Sequence, residues 1–282
     1  MQTSALPIHP QPCYNNLMEK VIIPPEYPYL FETHLHTKQG SACASCSSID
    51  AAKAHKQAGY SGIIITEHNW GGNTAISSRQ SWEEWVRKFT RGYKEAEAWG
   101  RKNKLTVLWG YEAGYNGTEF LIFGLTPGFL LAYPEIRYAT IAEQYRIVHD
   151  AGGIVVHAHP FREAYYIPEI KLYPDYVDAI EGLNCAHVNR LDYNEFGSYY
   201  EKEMYNRKAL EYAIENDFPI TAGSDSHSTS LKGGGMAFQN PVRNARHFVA
   251  RLLSRTDYLL TDGIRWYDPY GKPVADVEYG IV

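Results

Sequence analysis

The sequence predicts an α/β protein of strands covered by helices, on three observations. Short apolar runs alternate with helix-period segments from residue 30 onward, glycines close several of the helical segments, and His, Asp or Glu recur where the apolar runs end. Strand, loop and helix repeated in this way give parallel strands, in a closed barrel or an open sheet. No GxGxxG and no phosphate-binding loop follows any predicted strand, so the mark of the nucleotide-binding open sheets is missing.

The elements follow in order. YLFETHLH (29–36) reads as a strand, Ile49 to Gln57 as a helix with Asp50 near its start and Gly59 at its close, and SGIIITEH (61–68) as a short apolar strand. Trp82 to Asn103 carries an apolar stripe at helical spacing, and LTVLWGYEAGY (105–115) follows as a strand. Asn116-Gly117 is a hairpin turn that pairs it with TEFLIFGL (118–125). A helix over 140–151, stopped by Gly152-Gly153, leads to the strands GIVVHAHP and YVDAIEGLN (176–184). A helix over 201–216 precedes FPITAGSDSH (218–227), and a helix over 243–254 precedes a two-stranded tail turning at Asp268 to Lys272.

The 282 residues suit one large unit, expected over 30–282 with a hairpin at about 264–280, preceded by a Pro-rich extended arm over 1–29. An apolar content of 44% with 21% charged residues fits a chain that buries a sizeable core. No apolar run approaches a membrane span, and MQTSALPIHPQPCYNN lacks the basic start and apolar stretch of a secretory signal, so no membrane partner and a cytoplasmic address are expected. A net charge of −5 without a Lys/Arg block argues against duplex nucleic acid, whereas a small phosphorylated ligand needs only one or two cations. Of the four cysteines, Cys43 and Cys46 form a CxxC among small residues with no second pair, which reads as reduced thiols rather than a thiolate zinc site.

Five predicted strand ends carry metal-type ligands: His34-x-His36, Glu67-His68, Glu112, His157-x-His159 and Asp225-x-His227. Alternation puts His34 and His36 on one face of a strand, where both imidazoles reach one cation. Buried imidazoles and carboxylates are costly unless paired or metal-bound, and ligands at the carboxyl ends of barrel strands converge on one rim. A mixed His/Asp/Glu set suits zinc, manganese or iron.

In that order the motifs resemble the PHP (polymerase and histidinol phosphatase) family of metal-dependent phosphoesterases. Glu32-Thr-His34-Leu-His36-Thr37 is similar to its acidic-x-HxHT motif, Thr66-Glu67-His68 to TDH, Gly110-Tyr111-Glu112 to its G-x-E, His159-Pro160-Phe161-Arg162 to HPFR, and Gly223 to His227 to GSDSH. The resemblance covers residues 30–228 and implies a distorted (β/α)7 TIM-like barrel with two or three divalent transition metal ions. It implies that His34, His36 and Asp225 hold the first metal, that Glu112 bridges to a second held by His159, and that His68 and His227 bind a third or face the substrate. Two family positions hold other residues, Ala42 and Leu121. His157 and Cys43 are the nearest replacements, with a supporting role as the alternative for His157 and also for Glu67.

The reaction implied is hydrolysis of a small phosphomonoester or phosphodiester by a metal-bridging hydroxide, with Glu112 at the bridge. Arg162, a bidentate phosphate binder in principle, would meet the developing charge, and His227 or His68 would protonate the leaving oxygen. Lys232 in KGGG, Asn184 and Arg190 are candidate pocket residues, and Tyr165-Tyr166 or Tyr199-Tyr200 could stack on a base or sugar. The rival readings are an amidohydrolase-like C–N hydrolase and a metal-binding regulatory domain without turnover.

Overall fold

The computed structural model describes residues 20–188 and 199–274, with side chains in the helix at 199 described from residue 204. Cys13, Arg190, the side chains of Tyr199 and Tyr200, most of the expected arm and the end of the expected hairpin lie outside the described residues.

The strands form two mixed sheets instead of one continuous closed barrel. The first contains β1 (Tyr29–Leu35), β2 (Gly62–Ile65), β3 (Thr106–Trp109), β9 (Gly235–Phe238), β10 (Tyr258–Thr261) and β11 (Trp266–Tyr267), in the order β11-β10-β9-β1-β2-β3. Its β1, β2 and β3 are parallel, and β9 runs antiparallel between β1 and β10. The second contains β4 (Tyr111–Tyr115), β5 (Thr118–Phe123), β6 (Ile154–His157), β7 (Ala179–Asn184) and β8 (Ile220–Gly223) in sequence order. There β4, β5 and β6 are antiparallel, and β6, β7 and β8 parallel.

The single strand expected over 105–115 is split at Gly110, where the chain leaves the first sheet for the second. A Cβ on Gly110 would stand 2.8 Å from the Ile122 carbonyl oxygen, so this crossing needs a residue without a side chain. The Asn116-Gly117 turn has φ of 49° and 96°, as a two-residue hairpin loop requires.

Single bridges join the two sheets at two seams. Leu35 bridges Ser226, with the His36 N–H donating to Ser226 O at 2.8 Å; His68 bridges Glu112, with the Asn69 N–H donating to Glu112 O at 2.8 Å. The HxH, TEH, G-x-E and SDSH motifs therefore occupy the seams themselves.

Helices α1 (Ser48–Gln57), α5 (Ile141–Asp150), α6 (Tyr199–Glu215) and α7 (Ala245–Ser254) fall close to their expected places, and a one-turn α4 (Phe129–Ala132) is additional to them. Thr140 and Glu143 close a capping box on α5, worth about 1 kcal/mol. The long helix expected over 82–103 is instead α2 (Trp82–Phe89) and α3 (Arg91–Asn103), broken at Thr90, whose hydroxyl donates back to Val86 O at 2.9 Å. The largest apolar cluster gathers Phe31, Phe89, Phe120, Phe238 and Phe248 beneath the seams. No helix among the described residues is long and apolar enough to cross a membrane.

Candidate metal centre

The seams bring His34, His36 and Asp225 to one point and set Glu112 against both imidazoles. His34 Nε2 and His36 Nε2 are 3.0 Å apart, Asp225 Oδ1 lies 3.6 and 3.4 Å from them, and Glu112 places Oε1 3.3 Å from His34 and Oε2 3.5 Å from His36. Donors held tetrahedrally at about 2.0–2.2 Å from one ion stand about 3.3–3.6 Å from one another. The Asp225 distances fall in that range and the two imidazole nitrogens, at 3.0 Å, stand slightly closer, a spacing near that of a divalent cation's ligands.

The surrounding hydrogen bonds fix what these atoms present. His34 Nδ1 meets Glu181 Oε1 at 2.8 Å, a carboxylate that also accepts from the His159 N–H and from Asn184 Nδ2, each at 3.0 Å. His36 Nδ1 meets Ser41 Oγ at 3.0 Å, and that hydroxyl donates to Glu67 Oε2 at 2.7 Å, so the hydroxyl is left to accept from the ring. With both Nδ1 atoms donating outward, the neutral rings turn their Nε2 lone pairs on each other and on two carboxylates. Only a proton or a metal ion relieves that arrangement.

Without metal, protons serve. Burial disfavours the charged His34 ring, but Glu181, Asp225 and Glu112 outweigh it and hold this histidine well above its ordinary range. Burial and the neighbouring His68 press His36 down to about 3. His68 rises to about 11 because Glu112 and other neighbours overcome the cost of its burial. Against burial, His34 and His68 hold Glu112 well below the carboxylate range, and His34 and His36 do the same for Asp225.

The cluster extends past these four. His159 Nε2 is 3.1 Å from Glu112 Oε1, His68 Nδ1 is 2.7 Å from Glu112 Oε2, and the His36 ring stacks on those of both His68 and His227, at 4.2 and 4.4 Å. The His68 Nδ1 and Glu112 Oε2 atoms, though close, are both buried without a hydrogen bond of proper geometry. His159 and Asp225 carry φ of 29° and 48°, a left-handed backbone that non-glycine residues adopt at a cost of about 1–3 kcal/mol.

Several expected residues sit elsewhere. His157 stacks on Phe120 at 5.0 Å and joins no group of potential ligands among the described residues. Strand β6 ends at His157 and the backbone at His159 turns left-handed, so the alternation that would pair their faces no longer holds. Glu67 is a supporting carboxylate, accepting from the Thr37 N–H at 3.0 Å and from Ser41. Asn184 is fully buried and spent on Glu181 and on the Ala186 N–H, which removes it from substrate binding.

Lys232 donates to Ser224 O at 3.4 Å, and the glycines after it have packing reasons: a Cβ on Gly234 would meet Cys185 Sγ at 1.9 Å. Arg162 lies at the cluster, ion-paired with Glu119 and 5.8 Å from the ring of the half-exposed Tyr166. The Cys43 thiol is brought down to about 6 by His227 and His68 against its burial, whereas Cys46 is packed with Leu35 and Ile63.

Sequence reasoning passed over Glu181 and Glu119. Glu181 lay in plain view as an acidic residue inside an apolar strand. Glu119 stands two residues before Leu121 on the same face of β5.

Fold and site together define an α/β protein with a His/carboxylate cluster where two mixed sheets meet. Residues 203–256 match the family model described as PHP-associated. A two-domain protein from Bacteroides vulgatus containing a predicted PHP-like metal-dependent phosphoesterase shares the fold, at TM-score 0.60 and 13% identity over 86% of this chain and 68% of that one. The match to the PHP-associated model over that segment and the shared fold agree with the family that the motif order resembles.

An amidohydrolase from Chromobacterium violaceum is similar at TM-score 0.46 and 14% identity, over 71% of this chain and 88% of that one. No curated protein matches the chain in sequence. Endonuclease Q, in complex with a 27-mer duplex substrate carrying an abasic lesion at the active site, is similar at TM-score 0.49 and 12% identity, over 82% of this chain and 57% of that one. The expectation of no duplex nucleic acid, read from the net charge and the lack of a basic block, is withdrawn in view of that complex.

Proposed function

We propose that the chain is a metal-dependent hydrolase of phosphoester bonds, with His34, His36, Asp225 and Glu112 holding one divalent ion and Glu112 shared with a second held by His159. One observation carries this reading: three buried donors, His34, His36 and Asp225, lie together with Glu112 against both imidazoles, whose Nδ1 atoms are engaged outward by Glu181 and by Ser41. Zinc, manganese and iron all suit such a set. Divalent ions held there supply Lewis acidity toward a phosphoryl oxygen and acidify water near neutral pH.

The chain's own residues do the rest. Glu181 and Ser41 keep the two rings aimed inward, which avoids reorganisation during the reaction. Arg162, released from Glu119, would take two phosphoryl oxygens through parallel N–H donors. His227, whose side chain is 30% exposed against 10% for His68, would be the better of the two to pass a proton to a leaving oxygen. The distorted-barrel reading is supported by the two bridges that continue the ends of β1 and β2 to the outer strands of the second sheet at the cluster.

The test is hydrolysis of p-nitrophenyl phosphate and its bis-ester, against amide and lactone substrates, by chelator-stripped protein reloaded with manganese, zinc or iron. Phosphoester turnover that needs metal is expected. Turnover of amides or lactones alone, or of nothing while ions are bound, contradicts the proposal.

A further inference from the structure

We infer that Glu119 is itself a metal ligand, completing with Glu112 and His159 a carboxylate-rich second position that prefers manganese to zinc. This rests on the metal-centre reading above. The position that the PHP resemblance would fill with histidine is Leu121, fully buried in the main apolar cluster and unable to bind an ion. One strand repeat earlier, Glu119 reaches the centre from the same face of β5.

Its Oε2 lies 3.7 Å from His159 Nε2 and its Oε1 3.9 Å from His68 Nδ1, and the donor atoms of His68, Glu112 and Glu119 all lie within 4.8 Å of one another. Two carboxylates this close, with side chains 1% and 13% exposed, need positive charge beside them; Arg162 and the protonated His68 bring it without metal, and a bound ion would bring it while leaving His68 neutral. The second observation is the pair of orphaned atoms beside Glu119. His68 Nδ1 and Glu112 Oε2 approach to 2.7 Å without the geometry of a hydrogen bond, as two groups do when both aim at a third.

The donor chemistry sets the preference. His34, His36, Asp225 and Glu112 offer two imidazoles and two carboxylates, which suit zinc. Glu112, Glu119 and His159 offer two carboxylates and one imidazole, a harder set that favours manganese. Arg162 then has two partners to choose from, Glu119 without metal and an anionic substrate with it.

The experiment counts manganese bound by the purified protein, by equilibrium dialysis and electron paramagnetic resonance, for wild type, Glu119→Gln, Glu119→His and Arg162→Gln. Expected are two ions on wild type and on Arg162→Gln, and one on Glu119→Gln, its second affinity falling by more than the roughly 10- to 100-fold that loss of an orienting partner costs. Glu119→His should restore the second site with its preference turned toward zinc. If Glu119→Gln unfolds, Glu119→Asp replaces it, with a weakened second site expected. Two manganese ions held equally well by wild type and Glu119→Gln overturn the inference alone. No ion on wild type overturns the metal centre as a whole.

Discussion

Replacing Glu181 with Gln tests whether the hydrogen bonds around the cluster set its chemistry. The Glu181 carboxylate accepts three hydrogen bonds, from His34 Nδ1 at 2.8 Å and from the His159 N–H and Asn184 Nδ2 at 3.0 Å each. A glutamine has one acceptor oxygen, so its amide nitrogen must face at least one of these donors. Facing His34, it drives the ring to the tautomer with its proton on Nε2, the atom that points at the metal position. Losing such a partner costs about 10- to 100-fold in metal affinity, or about 1.4–2.7 kcal/mol. Competition against a chromophoric chelator at constant pH measures it. Affinity within threefold of wild type, under conditions where His34→Ala binds no metal, would refute the reasoning.

Other expectations follow from the same geometry. Glu112→Gln should abolish phosphoester turnover and remove at least one ion; full metal content with retained turnover contradicts the bridge. Burial, with His159 nearby, presses His157 and His187 down to about 3, against about 6.5 in an unfolded chain. Between those limits the unfolded state binds protons that the folded state refuses, so stability falls on acidification by up to about 1.4 kcal/mol per pH unit for each ring. His157→Phe should make the urea midpoint of metal-free protein decline less steeply from pH 6.5 to 4.5, with metal content unchanged; an equal slope refutes the assignment. Burial raises the Cys43 thiol, but bonding to His227 and His68 outweighs it and brings the thiol to about 6, so alkylation of metal-free protein should reach half its maximal rate near pH 6. A midpoint near 8.5 contradicts that placement.

Much of the site was legible because its residues sit in short motifs at strand ends, and apolar runs mark strand ends well. His34, His36, Glu112, His159 and Asp225 all converge, which no local pattern dictates but which the order of the motifs implies. What failed failed for physical reasons. The same-face argument for His157 assumed an extended strand through His159, whose left-handed backbone breaks the alternation. Asn184 looked like a pocket residue because it follows a strand, yet its side chain is consumed in holding Glu181. The glycines after Lys232 suggested a ligand-facing loop, whereas Gly234 lies against Cys185.

The fold was misread where one residue redirects the chain. Gly110 moves it between sheets, and the Thr90 hydroxyl breaks a helix whose apolar stripe continues across the break. Glu119 belongs to no motif, and a shift of two along a strand is invisible in sequence until the partner strand's register is known.

The most direct test of the metal centre is an anomalous-scattering map from crystals of the chain grown with zinc or manganese. A peak about 2.0–2.2 Å from His34 Nε2, His36 Nε2, Asp225 Oδ1 and a Glu112 oxygen is expected. Empty density among those four atoms, with ions bound only elsewhere, would contradict it.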